Sequence, residues 1–233
     1  LRSRLVIGHR GAPSLKVENS LEGVVEALRL GVDGVEVDVR ATKDGSLVAF
    51  HDQSLSRILG VNRLVSEVEF DELRGLGLAR GFTVPTIEEV VDVVVGKAMM
   101  VLDVKELRAV KGLIELLKRV GRGEVVVSSF DHRIPLMVKS EAPFVEAGII
   151  LSARPLSLSR LLHEEVSHLF LKKDYVDLEL LEEARDLGVT VHVWVVNNEE
   201  EAERLWSMGA RGMVTDLPQL LVGRRRNHGP STR

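Results

Sequence analysis

The 233-residue chain contains no cysteine. Disulfides, thiolate metal sites and a cysteine nucleophile are therefore excluded. It has no apolar run of roughly 18 residues, so no membrane-spanning helix is expected. It has no excess of basic residues: the net charge is -4 with 28% charged residues, which argues against general nucleic-acid binding, since that needs a basic face. No signal-peptide pattern precedes the first strand-like run. The sequence does not open on methionine, so a trimmed leading segment stays open. The expectation is a soluble cytoplasmic protein. Apolar residues make up 45% of the chain, enough for a sizeable core in one domain.

Residues 5–52 organise the rest. They read LVIGHRGAPSLKVENSLEGVVEALRLGVDGVEVDVRATKDGSLVAFHD. Two apolar strand-like runs, VIGHR and GVEVDV, end in ionisable residues, with a helical run from Ser20 to Leu30 between them. Asp44-Gly45 is a hairpin signal that turns the chain back into LVAF and delivers His51-Asp52. Pairing about that turn brings Glu36 close to His51 or Asp52. Glu36 and Asp38 are two apart, so a strand puts them on one face. Two carboxylates on one face invite a cation, and hard oxygen ligands favour Mg²⁺ or Ca²⁺.

Residues 53–85 are less regular and read as an excursion over the mouth of the site. A capping box, Thr86 with Glu89, then opens a helix. From Met99 strands and helices alternate to a last helix at Gln219–Gly223, and a helix is expected over Leu158–Glu165. Alternation of this kind means parallel βαβ units. If LVAF is an excursion the count is eight, a (β/α)₈ TIM-type barrel with a hairpin and loop insertion after the second strand. If it joins the sheet the count is nine, and an open doubly wound sheet competes. That fold would show a glycine-rich phosphate fingerprint after the first strand, and Gly8-His9-Arg10-Gly11 is not one. The domain reading is one barrel over 1–223 and a basic tail over 224–233.

In such a barrel the C-terminal strand ends build the site. Those ends carry His9-Arg10, Glu36, Asp38, Asp103, Lys105, Ser128-Ser129, Lys172-Lys173, Trp194 and Thr215-Asp216, joined by His51 from the hairpin. Carboxylates at three positions suit an oxygen-ligated ion, Arg10 and Lys105 suit a phosphate oxygen, and two histidines supply an acid and a base. Each feature has a plainer reading: Glu-x-Asp as a solvated face, Asp103-x-Lys105 as a salt bridge, Trp194 as core. Convergence at several strand ends favours a site that cleaves a phosphodiester. His192 shares a face with Trp194 and is left without a role.

The chain resembles the glycerophosphodiester phosphodiesterase family. The matching pieces, in order, are HRGA (9–12), ENS (18–20), GVEVDV (34–39), TKDG (42–45), AFHD (49–52), VPTIEE (84–89), SSF (128–130), VWVVN (193–197) and TDLP (215–218). The resemblance implies a distorted (β/α)₈ barrel, a divalent cation, and hydrolysis of glycerophosphodiesters to glycerol 3-phosphate and an alcohol. It implies Glu36, Asp38 and Asp103 as metal ligands, His9 and His51 as the acid–base pair, and Arg10 and Lys105 on the phosphate. Trp194 is read as a substrate-lining residue. The family commonly has Glu-x-Lys where this chain has Asp103-x-Lys105, and threonine where it has Ser20. Two other functions compete: a lysophospholipase D-like activity, with an apolar path along 53–85, and a non-catalytic barrel that binds phosphodiesters. Binding alone needs no proton donor, so both histidines argue against the last.

The shorter Asp103 generates a prediction. Mg²⁺ demands short, near-octahedral contacts and Ca²⁺ tolerates longer ones. Asp103→Glu should keep activity but change the order of preference across a metal series, and Asp103→Ala should impair activity strongly. Identical metal profiles for wild type and Asp103→Glu would refute the idea.

Overall fold

The computed structural model describes residues 4–121 and 123–227. Its elements run in order β1 (Leu5–Gly8), α1 (Leu21–Leu30), β2 (Gly34–Ala41), β3 (Leu47–Ala49), α2 (Ser56–Leu59), α3 (Phe70–Leu78), α4 (Ile87–Val94), β4 (Met99–Val104) and α5 (Val110–Val120). Then come β5 (Val125–Ser129), α6 (Arg133–Glu141), β6 (Glu146–Leu151), α7 (Leu158–Leu161), β7 (Val166–Lys172), α8 (Leu178–Asp186), β8 (Thr190–Trp194), α9 (Glu199–Met208), β9 (Gly212–Thr215) and α10 (Pro218–Asn227).

Among the described residues the strands form one sheet, and β1 pairs in parallel with both β2 and β9. Eight parallel strands therefore close on themselves as a (β/α)₈ barrel. The ninth, β3, pairs only with β2 and runs antiparallel, with Val39 opposite Ala49 and Arg40 opposite Val48. β2 is long because it serves three partners: Gly34 to Val39 pair with β4, Gly34 and Val35 with β1, and Val39 to Ala41 with β3. The return strand thus stands beyond the barrel rim.

Alternation along the strands separates two cores. Val35, Val37 and Val39 of β2 are buried among the surrounding helices, with Ile87, Val90 and Val94 of α4 in the same cluster. The opposite face of the strands points into the barrel, where Ile7, Met99, Val101, Val126, Ile150, Phe170 and Val214 pack together. Two inward glycines make room for bulky neighbours. A Cβ on Gly148 would lie 2.9 Å from the Phe170 ring, and one on Gly212 would lie 2.2 Å from His192 Nδ1. His192 is fully buried, stacks on Phe170 and His168, and shares a 2.9 Å hydrogen bond with His168. It fills the barrel interior.

The insertion has a core of its own, built from Val48, Phe50, Leu55, Leu59, Val65, Val68, Leu73, Phe82 and Val84. Of the residues that could have lined an acyl path, Leu59, Val65 and Phe82 belong to this core, and Val61 and Leu76 pack against it.

Two expectations are corrected. The helix expected over Leu158–Glu165 stops at Leu161, because Leu162 turns to an extended conformation and the chain re-enters the sheet at Val166. The final helix opened by Gln219–Gly223 continues to Asn227, into the segment read as a basic frayed tail. Residues 228–233 of that tail lie outside the described residues.

The capping box forms as read. Glu89 N donates to Thr86 Oγ1 at 3.1 Å, and Thr86 N donates to Glu89 Oε2 at 2.9 Å. Thr86→Ala should therefore cost about 1 kcal/mol of unfolding free energy, within a range of about 0.5–2, measured by urea titration. No loss would mean that α4 is held by its buried face alone.

Candidate active site

One end of the barrel holds a cavity of about 310 Å³. His9, Arg10, Glu36, Asp38, His51, Asp103, Lys105 and Trp194 all line it together with Ser128, whereas Ser129, Lys172, Lys173, Thr215 and Asp216 from the other strand ends do not. The register explains this. β2 and β4 place Asp38 opposite Asp103 and Glu36 opposite Val101. Lys105 follows Asp103 by two residues, so it returns to the same side. One ligand oxygen from each of Glu36, Asp38 and Asp103 falls within a mutual distance of 4.8 Å, and all three side chains are buried.

Crowding divides these carboxylates. Burial, and then the charge of Asp38, push Glu36 up to about 7. Burial also raises Asp103, to about 6, against the pull of Lys105. Asp38 feels the same burial, but Lys105 and Arg10 outweigh it and hold the carboxyl below its ordinary range. Lys105 Nζ lies 2.7 Å from Asp38 Oδ1 and also bonds Asp103 Oδ2. Asp103 Oδ1 is buried with no hydrogen-bond partner. Three clustered carboxylates, two of them unwilling to ionise and one with an orphaned oxygen, fit a hard divalent ion.

The backbone around the cluster is bent to serve it. Arg10 and Asn19 both take positive φ, 51° and 56°, a rare conformation for residues other than glycine. Arg10 N thereby donates to Glu36 Oε2 at 2.8 Å. Asn19 Nδ2 donates to Asp38 Oδ2 at 2.7 Å, and Asn19 Oδ1 accepts from Asp38 N at 3.1 Å. Arg10 Nε lies 3.1 Å from Asp38 Oδ2, and Nη1 donates to Glu18 Oε1 at 2.9 Å.

Each histidine has a carboxylate behind it. His9 Nδ1 is 2.7 Å from Asp216 Oδ1, and His51 Nδ1 is 2.7 Å from Asp52 Oδ1. Both aspartates lie below the ordinary carboxylate range. For Asp216 burial is overcome by the bonds from His9 and Asn197; Asp52 is held at about 2, chiefly by Arg57. An ionised carboxylate only accepts, so Nδ1 carries the proton in both rings and Nε2 is left for exchange. His9 Nε2 lies 3.9 Å from Glu36 Oε2. Burial lowers His9, but Asp216 and Glu36 overcome it and its pKa is raised. Burial prevails at His51, which is lowered despite Asp38 and Asp52. The β2–β3 ladder ends at Ala49, and Phe50 N still bonds Asp38 O at 3.0 Å. His51 follows into the cavity, with Asp38 as the charge that acts on it most.

Across from the charged wall the lining is apolar: Phe130, Ile150, Phe170, Val195 and Val214 join Trp194. Trp194 Nε1 donates to Phe170 O at 3.1 Å, and its ring meets Phe130 edge-on at 6.0 Å. Residues 53–85 contribute nothing to the lining. Lys172 pairs with Asp174 and Lys173 with Glu201, away from the cavity.

A sequence profile of the glycerophosphoryl diester phosphodiesterase family matches residues 9–220. The chain belongs to that family of enzymes. A glycerophosphodiester phosphodiesterase of Caldanaerobacter subterraneus subsp. tengcongensis is 30% identical, over 97% of this chain and 99% of its own length. A phosphodiesterase of Oleispira antarctica, solved with the product sn-glycerol-3-phosphate, superposes with a TM-score of 0.88 at 25% identity, over 97% of each chain. A human lysophospholipase D is 24% identical, over 92% of this chain and 84% of its own.

Sequence reasoning assigned no role to Asp52, Asp216, Glu18, Asn19, Asn197 or Phe130. All of them stand in the short motifs that carried the family resemblance. Asn197 fixes Asp216 from both sides, with Nδ2 donating to Oδ2 at 2.9 Å and Oδ1 accepting Asp216 N at 2.9 Å.

The raised carboxylates generate a pH prediction. Glu36 and Asp103 hold protons in the fold that the unfolded chain has already lost, so metal-free stability falls as pH rises from the unfolded values, about 4, towards 6–7. An ion that binds the ionised trio should therefore raise the Tm more at high pH. With ion at about 100 times Kd the gain should be roughly 5–10 °C near pH 8. It should be clearly smaller near pH 5.5. Thermal melts with and without Mg²⁺ or Ca²⁺ check this, and an equal gain at both pH values would contradict it.

Proposed function

We propose that the chain hydrolyses a glycerophosphodiester to glycerol 3-phosphate and an alcohol, with His9 and His51 moving the protons. The observation that carries this reading is the pair of imidazoles on one cavity, each with Nδ1 held by a carboxylate at 2.7 Å. Binding alone needs no such pair. Glu36, Asp38 and Asp103 are the residues that would hold a divalent ion, Mg²⁺ or Ca²⁺. When bound, it supplies charge stabilisation to phosphoryl oxygens.

Arg10 and Lys105 are the cationic side chains of the lining, and their remaining N–H donors suit the other phosphate oxygens. In-line displacement at phosphorus needs a base on the attacking side and an acid on the leaving side. His9 is the base: its Nε2 takes the proton of the attacking oxygen, either water or a glycerol hydroxyl whose cyclic phosphate water then opens, while Asp216 stabilises the imidazolium that forms. His51 is the acid: it stands on the hairpin arm, separate from the barrel frame, and in its imidazolium form gives its Nε2 proton to the departing alkoxide. The raised His9 and lowered His51 of the metal-free cluster run opposite to these roles. A cation held by these carboxylates would offset both the Glu36 charge that raises His9 and the Asp38 charge that raises His51, so it would favour the base role of His9 and not the acid role of His51. Phe130 and Trp194 face the non-ionic parts of the substrate.

Turnover of glycerophosphocholine, glycerophosphoethanolamine and a lysophospholipid, with and without Mg²⁺ or Ca²⁺, tests the reading. The diesters should be cleaved in an ion-dependent way and faster than the lysophospholipid, because most apolar residues of the insertion lie in or against its own core and none lines the cavity. Loss of either histidine should cost on the order of 10²–10⁴-fold in rate. On a nitrophenyl ester, whose leaving group needs little help, His51→Ala should be much less damaging than His9→Ala. Equal damage on both substrate types would overturn the roles, and unchanged activity in both variants would overturn acid–base catalysis by this pair.

A further inference from the structure

Arg57 lies on α2, in the insertion, and does not line the cavity. Its guanidinium faces two carboxylates at once. Nε donates to Asp52 Oδ2 at 2.6 Å, while Nη1 and Nη2 donate to Glu18 Oε2 and Oε1 at 2.7 and 2.6 Å. Both acids have a second task. Asp52 holds His51 through its other oxygen, and Glu18 Oε1 also accepts from Arg10 Nη1. One arginine therefore joins the carboxylate behind an imidazole to the carboxylate behind the phosphate-facing guanidinium.

The turn that carries Arg57 is fixed from beneath. Leu55 and Leu59 are buried in the insertion's core, Leu59 N bonds Leu55 O at 2.8 Å, and Gly60 ends the turn with φ +66°. A single exposed ion pair contributes little. A planar fork that grips two carboxylates in fixed directions sets geometry as well as charge. Without it Asp52 and Glu18 face each other as like charges, and Asp52 has nothing to hold it against His51 Nδ1.

We propose that Arg57 is a positioning residue: from outside the cavity it keeps His51 and Arg10 in register with each other. The kinetic side of this inference rests on the proposed phosphodiesterase chemistry. In the full-length, ion-loaded protein, Arg57→Ala should lower kcat on glycerophosphocholine on the order of 10–100-fold and change KM less. The loss should be smaller on the nitrophenyl ester. Arg57→Lys should restore only part of the rate, since one ammonium cannot grip both acids. The double variant Asp52→Asn with Arg57→Ala should be hardly worse than its worse single parent. Arg63→Ala, which removes an ion pair to Glu72 in the same insertion, should leave the rate alone.

Ring-nitrogen NMR of His51 reads the geometry without turnover. The wild type should show one tautomer with Nδ1–H, and Arg57→Ala a mixture. A single unchanged tautomer in Arg57→Ala overturns the proposal, as does full recovery with Arg57→Lys or equal loss on both esters. A wild type that cleaves none of the esters would sink the phosphodiesterase reading instead, and the NMR result would still decide the clasp.

Discussion

Three buried carboxylates on adjacent strands repel one another, and much of the molecule's upper end answers that repulsion. Left alone, two of them keep their protons to higher pH than ordinary carboxylates, with Glu36 pushed up to about 7 and Asp103 to about 6. Arg10 bends into a left-handed conformation and offers both its amide and its guanidinium. Asn19 does the same and clamps Asp38 by both ends of its amide. Lys105 bridges Asp38 and Asp103. Removing one cation from such a set leaves an uncompensated buried charge, so the cluster stands or falls together. The same tension is what gives a dication its affinity.

The cavity's two walls come from different parts of the chain. His9, Arg10, Glu36, Asp38, His51, Asp103 and Lys105 all precede residue 106, whereas Phe130, Ile150, Phe170, Trp194 and Val214 come after it. Most of the charged lining thus comes from the first βα units and most of the apolar lining from the later ones, with Val101 and the Asp216 behind His9 as the exceptions.

The barrel was legible because its strands are near-continuous apolar runs separated by helices, and because Asp44-Gly45 announces a hairpin. Glu36, Asp38 and Asp103 reached the cavity because period-two alternation determines which strand residues face inward. The roles of Asp52, Asp216, Glu18 and Asn19 were not legible. A carboxylate that orients a histidine has no periodicity of its own, and its partner is fixed only by closure or by a loop: 207 positions separate His9 from Asp216. The eight-or-nine count of strands also needed the structure, since it depends on whether β3 pairs with one strand or two. The helix expected over Leu158–Glu165 failed for a similar reason. Its polar second turn has helical composition, but the chain needs those residues to reach β7.

Closure has a consequence for synthesis. β1 is held between β2 and β9, and His9 N also bonds Thr215 O at 2.9 Å beside the Nδ1–Asp216 contact. A nascent chain that has emerged as far as β8 already carries every carboxylate of the ion site and both imidazoles. It still lacks the strand that completes the ring and the aspartate that sets the first imidazole's proton. The last strand to emerge is thus the one that both closes the ring and brings Asp216 to His9.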